Sequence, residues 1–230
     1  HATATNTTYQ SYTVGGITYN LVDLSVVGLA QTNLNFLDTT PNMYFSNLST
    51  GGVSTTCATG VTCVISTGNR NTNIPFEVTQ APNTAQIGGL FVNGGTAHVG
   101  GGAPASAPQA YTIQFSTPLA GQKSFYALTN TWWGNPSTTN EFNVTVNFTD
   151  GSSQVFQSLS GVDVRDFNYN PTTSQSISNT TTNWYLNGSQ WIDVRKFSLA
   201  PINYDKTVQG ITITQMDRPY SAGIIAALSL

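Results

Sequence analysis

The sequence predicts an all-β protein, an antiparallel β-sandwich of jelly-roll type. Three observations carry that expectation. Short stretches throughout the chain alternate apolar and polar residues with a period of two, the signature of a half-buried strand. Clusters of Gly, Asn, Asp and Pro separate them at turn-like intervals. No segment keeps helical periodicity for more than a turn or two. At 230 residues the chain is read as one domain, 1–230, which is enough to bury a core without staples.

The stretch that organises the rest is EFNVTVNFTDGSSQVFQSL, Glu141 to Leu159. Phe142, Val144, Val146 and Phe148 alternate with Asn143, Thr145, Asn147 and Thr149, so one face is apolar. Asp150-Gly151 follows at once and suits the positive φ angles of a two-residue hairpin turn. A turn closing there sets Val146 opposite Val155 and Phe142 opposite Leu159. A lone hairpin is marginal in water, so the apolar face calls for a second layer.

Taken in order, residues 1–10 open the chain as a polar, Thr-rich extended arm. Tyr12 and Val14, then Gly15-Gly16, then Ile17 and Tyr19 predict a first hairpin, and Leu21 to Leu29 a strand entering the core. Residues 49–73 form a polar excursion holding both cysteines, followed by a short strand at Ile74 to Val78. GGLFV (Gly88 to Val92) and Ala97 to Val99 flank a turn at Asn93-Gly94-Gly95. Tyr111 to Phe115 and Lys123 to Leu128 alternate as strands, and TNTWWGNPSTTN (Thr129 to Asn140) reads as a turn-rich loop. A second polar excursion, 166–182, precedes closing strands at Trp184 to Leu186, Trp191 to Leu199, Val208 to Thr214 and Gly223 to Leu228.

Charged residues make up only 7% of the chain, against roughly 25% in ordinary soluble domains, so Thr, Ser, Asn, Gln and Gly must supply its polarity. Of the seven basic and ten acidic residues, ten fall between Asp163 and Arg218. A net charge of −3 without a basic patch argues against nucleic acid as a partner. No apolar run approaches the roughly 20 residues of a membrane span.

Cys57 and Cys63 stand in CATGVTC, where five intervening residues with Gly60 in the middle can close a small loop. Zinc would need two further ligands, and none is nearby in sequence, so a disulfide is expected, which places the protein outside the cytosol. The chain begins at His1 without a methionine, which reads as a mature secreted protein at the cell surface or in the extracellular matrix. Six Asn-x-Ser/Thr sequons, at Asn6, Asn47, Asn143, Asn147, Asn179 and Asn187, are acceptors for N-glycosylation in such a setting, with Asn143 and Asn147 sharing the polar face of the central hairpin.

YTIQF, KSFYALTN, FNVTVNFTDGSSQVF, VRKFSLAP, KTVQGITI and the apolar terminal strand, together spanning roughly Tyr111 to Leu230, resemble the galactose-binding-like, carbohydrate-binding-module-type jelly rolls of secreted microbial proteins. The opening GITYNLVDLS is similar to the first strand of such sandwiches. That resemblance implies a sandwich and, by analogy, a polysaccharide or surface-glycan partner. Trp132-Trp133 in TWWGNP is then the candidate sugar contact, because flat indole faces stack on pyranose rings. Neighbouring tryptophans on a strand point to opposite faces, so one of the two is expected in the core. His1 as first residue, with His98 as the second histidine, resembles the copper-binding pair of lytic polysaccharide monooxygenases. The resemblance implies copper held by the His1 amine and imidazole with His98, since such nitrogen ligands suit that metal.

Carboxylates for hydrolysis are sparse. Asp163/Arg165, Asp193/Arg195, Asp205/Lys206 and Asp217/Arg218 read as surface or structural ion pairs between sequence neighbours, leaving Glu77 and Glu141 isolated. No nucleophile elbow surrounds either histidine, and no phosphate cradle or EF-hand spacing is present, although loop oxygens could hold a structural calcium. Three functions remain open: a non-enzymatic carbohydrate-binding protein, which leads; a filament subunit whose N-terminal arm adds a strand to a neighbour's sheet; and a copper monooxygenase.

Overall fold

The computed structural model describes residues 2–24, 45–46, 62–66, 74–79, 86–87, 90–93, 110–132, 138–166, 182–187, 190–216 and 222–230. They form sixteen strands: β1 (Ala2–Thr7), β2 (Gln10–Val14), β3 (Ile17–Asp23), β4 (Phe45–Ser46), β5 (Thr62–Ser66), β6 (Pro75–Thr79), β7 (Gln86–Ile87), β8 (Leu90–Asn93), β9 (Ala110–Ala120), β10 (Ser124–Trp132), β11 (Asn140–Phe148), β12 (Ser153–Leu159), β13 (Thr182–Asn187), β14 (Gln190–Ser198), β15 (Thr207–Gln215) and β16 (Ala222–Ser229). A 3-10 turn at Pro201–Asn203 lies between β14 and β15.

The larger strands pair into a five-stranded sheet, β1-β9-β15-β11-β12, and a second sheet ordered β13-β14-β10-β16-β3-β2, with β8 also on β16. Eight strands make the frame. One four-stranded layer is β9-β15-β11-β12 and the other β14-β10-β16-β3, with every pair antiparallel. From β9 onward the chain passes between layers at each step of this frame except the β11–β12 hairpin. That is the strand order of a jelly roll, as the sequence predicts. Short ladders β4-β7 and β5-β6 belong to the segment between β3 and β9.

Side chains from both layers meet in the core. Tyr111, Ile113, Val144, Val146, Ile211 and Ile213 point in from the first sheet, and Val22, Phe125, Ala127, Phe197 and Ile225 from the second. Phe125 stacks on Phe197 with centroids 4.6 Å apart, and Phe156 of β12 meets Phe197 edge-on at 5.3 Å. The first contact lies within one layer and the second joins the two, each worth about 0.5–1.5 kcal/mol beyond the buried area.

The β11 strand alternates as expected, with Val144 and Val146 buried and Thr145 and Asn147 half-buried on the other face. Its partner strand is shifted by one residue. The Phe148 amide donates to the Ser152 carbonyl, the Gly151 amide donates to the Phe148 carbonyl, and Gly151 has φ 84°. The loop therefore holds three residues, Thr149 to Gly151, with glycine in the left-handed position that completes a bulge. Asp150 favours it by accepting from the Ser152 amide and hydroxyl through Oδ1. Val146 consequently faces Gln154, not Val155, and Phe142 faces Ser158, not Leu159. Val155 points outward and is 55% exposed.

Other expectations are also revised. The N-terminal arm is a strand through residues 2–7, lying parallel to β9 at the sheet edge. The loop expected from Thr129 begins later, because Thr129, Asn130 and Thr131 extend β10 as buried residues. Within the first polar excursion, Thr62–Ser66 is strand; within the second, Asp166 is buried and bridges Thr131. Cys63 lies in β5, while Cys57 and the predicted disulfide fall outside the described residues.

The ion pairs are crossed relative to the sequence pairing. Arg165 holds Asp193 and Arg195 approaches Asp163, at 2.7 and 3.9 Å, with all four side chains buried instead of at the surface. Lys206 contacts Asp150 at 3.4 Å across the hairpin turn. Asp217 and Arg218 lie outside the described residues.

Candidate functional site

The outer face of the five-stranded sheet is built from the polar half of each alternating strand. When Tyr111 and Ile113 turn into the core, Thr112 and Gln114 must turn out. The same rule sends Thr212 and Thr214 of β15 and Asn143, Thr145 and Asn147 of β11 to that face.

Register then aligns these residues into rows. Thr3 pairs with Thr112, Thr112 with Thr212, Thr212 with Thr145, and Thr145 with Val155. Four threonines and a valine thus cross all five strands, at the spacing of about 4.8 Å between neighbouring strands. A second row runs Gln114, Gly210, Asn147, Ser153, and a third Ala110, Thr214, Asn143, Gln157. None of these residues carries a charge.

At the centre of the second row Gly210 leaves a depression of about 290 Å³, lined by Thr112, Gln114, Asn147, Gln209, Gly210 and Thr212. Glycine is required there because a Cβ would run into the backbone carbonyl of Ile113 on β9. The polar atoms around the hollow are held in place by one another. Asn147 Nδ2 donates to Thr212 Oγ1 at 2.8 Å, and the Thr212 and Thr112 hydroxyls share a 2.8 Å hydrogen bond. Because Thr212 accepts from the amide, its own proton can go to Thr112, which orients a short chain of hydroxyls across the strands. The site is therefore a fixed set of hydroxyl and amide groups that both donate and accept.

The residues singled out in the sequence are placed as follows. Trp132 ends β10, its backbone paired with Ala222; Trp133 lies outside the described residues. So do His1 and His98, the copper pair, and the sequon residues Asn47 and Asn179. Asn6 is exposed on β1, Asn187 closes β13 opposite Gln190, and Asn143 and Asn147 lie on the threonine-rich face. Asn143 Oδ1 accepts from Asn140 Nδ2 at 2.7 Å. Glu141 is completely buried at the start of β11, with its carbonyl accepting from Gln215 Nε2, and Glu77 is half-buried in β6. No group of three or more His, Cys, Asp or Glu converges as a metal site among the described residues. No helix there is long and apolar enough to cross a membrane.

Comparison with protein-family models and with curated proteins finds no match. Thr112, Gln114, Gln209, Gly210 and Thr212 were not candidates from the sequence. The polar positions of YTIQF and GITIT were visible there, but their alignment depends on which strands are neighbours.

Proposed function

We propose that the protein binds carbohydrate without acting on it, and that the outer face of the five-stranded sheet is the binding surface. The observation that carries this reading is the uncharged, hydroxyl- and amide-lined depression around Gly210. A sugar presents hydroxyls that each donate and accept, and the matching protein groups are neutral ones of the same kind held in fixed positions. Thr, Asn and Gln side chains do not titrate near neutral pH, so they bind and orient without exchanging protons with a ligand. The preorganised hydrogen bonds among Asn147, Thr212 and Thr112 reduce the ordering cost of binding. Secretion and a surface polysaccharide as partner form part of the same proposal.

The test is a glycan array followed by calorimetry on any ligand found. The wild-type protein should bind a neutral glycan, and Gln114→Ala with Thr112→Val should weaken it at least tenfold while leaving the melting temperature nearly unchanged. Trp132→Ala and Trp133→Ala separate the two surfaces. If those variants lose the ligand and the Gln114/Thr112 variant keeps it, the tryptophan loop is the site and the sheet face is not. Absence of any glycan binding by the folded protein rejects the function.

A further inference from the structure

A separate feature at the edge of the same sheet points to self-association and does not depend on carbohydrate binding. Strand β1 lies at the sheet edge with one neighbour, β9. Its regular ladder covers Ala2 to Ala4 against Tyr111 to Ile113, after which the register breaks before Thr7 meets Phe115. Two residues of β1, Thr5 and Asn6, stand there against Gln114 alone. Asn6 takes a left-handed φ of 56°, the one positive φ among described non-glycine residues. Among the described side chains of this strand, Ala4 packs against the core, and it is partly buried. The chain then needs just Thr8 and Tyr9 to reach β2 in the opposite sheet.

Tyr9 is the anchor at which this segment ends. Its ring meets Phe115 edge-on at 6.1 Å, and it packs against the core. Residues up to Thr8 can therefore leave β9 while Tyr9 keeps the remainder seated. Departure exposes a row of backbone donors and acceptors along β9, an edge that pairs with any suitable strand. The sequence ATATNT has no charge and no proline, the two devices that commonly block such pairing.

We propose that β1 is exchanged between copies of this chain, with Ala2 to Thr7 of one molecule pairing with β9 of a second. The occupant fits because the same residues already pair with the same edge within one molecule, so the ladder is reproduced without new contacts. What changes is the connection. A short link between an exchanged strand and its anchor favours exchange, because the swapped form can straighten it. Here the link between β1 and β2 is Thr8 and Tyr9 alone. Each copy gives a strand and receives one, so the assembly grows by the same contact whether it closes as a dimer or continues as a chain.

The test uses two folded single-site variants of the full chain, Thr3→Cys and Thr112→Cys, whose positions are cross-strand partners. They are mixed at high concentration, incubated, oxidised and digested, and linked peptides are identified by mass, which sets aside the native cysteines. The expected product joins position 3 of one chain to position 112 of the other. It should exceed, several-fold, the product from Thr3→Cys mixed with Thr145→Cys, two strands further along the row. Light scattering supplies a second measurement. Inserting Gly-Ser-Gly between Thr8 and Tyr9, which relaxes the short link, should lower the oligomer fraction. No excess of the 3–112 peptide over the control, or an oligomer fraction indifferent to the insertion, overturns the proposal.

Discussion

Arg165 grips Asp193 by two parallel hydrogen bonds, Nε to Oδ2 at 2.8 Å and Nη2 to Oδ1 at 2.7 Å, within the body of the sandwich. Asn130 Nδ2 adds a third at 2.8 Å. The loop carrying Arg165 is thereby tied to β14 and β10. Desolvation pushes the Asp193 carboxyl above its ordinary range, opposed by Arg165 and Asn130. Removing only the cation should therefore be costly. Arg165→Met is expected to destabilise by about 3–5 kcal/mol, since it strands a buried carboxylate. Arg165→Met with Asp193→Leu should recover much of that loss. A double-mutant cycle by urea denaturation measures the coupling, and simple additivity would mean that the pair contributes nothing as a pair.

The hairpin register makes an unambiguous contrast. Val146→Asp buries an unpaired carboxylate and should cost about 3 kcal/mol or more, while Thr145→Asp on the outer face should cost less than about 1. Val155→Asp should also cost less than about 1 kcal/mol, because the three-residue loop turns Val155 to solvent. A two-residue turn would have made Val155 a core residue, so a large drop in melting temperature for Val155→Asp would restore that register.

Gly210 and Gly223 should differ in their tolerance of a methyl group. At Gly210 the obstacle is the Ile113 backbone; at Gly223 it is the Phe142 ring, whose Cδ1 would be 2.7 Å away. A ring can rotate by a small amount, whereas a paired strand must move as a unit. Gly210→Ala is expected to lose about 2 kcal/mol or more, and Gly223→Ala less. Thermal melts of the two variants give the order directly.

Acid should weaken the central turn through Asp150. Hydrogen bonds from the Ser152 hydroxyl and amide hold its carboxyl below the ordinary value, helped by Lys206. The depressed folded value means that this contribution is present above the unfolded pKa of about 3.9 and disappears as pH falls through the folded value. Asp150→Asn should flatten that part of the stability-versus-pH curve. Identical slopes for the two proteins below pH about 4 would show that the turn is not involved.

The strands of the first layer were legible because period-two alternation survives in β9, β11 and β15, from YTIQF to GITIT. Which strands are neighbours was not, since nothing local in Thr112, Thr212 and Thr145 says that they lie in one row. The hairpin shows the limit most sharply. Asp150-Gly151 marks a turn, but one additional loop residue reverses which side Val155 faces, and the local sequence suits either length. The buried ions were misassigned for a related reason. Asp163 beside Arg165 and Asp193 beside Arg195 suggest local pairs, yet the first two sit in the turn after β12 and the second two share one face of β14, so each charge meets its partner across the fold. Asn6 gave no signal at all, because its left-handed backbone arises from the bulge that β9 imposes.

The position of β16 makes its sheet depend on one distant pairing. β16 lies between β10 and β3 in the interior of the sheet, and Leu230 just beyond it exchanges backbone hydrogen bonds with Asn20. β3 thus gains this neighbour from some two hundred residues away in sequence, and loops closed over such distances form slowly. While β16 is absent, β10 and β3 each present an unpaired backbone edge in the middle of what will be one layer. Closure of the sandwich therefore waits on a contact that no local hairpin can supply.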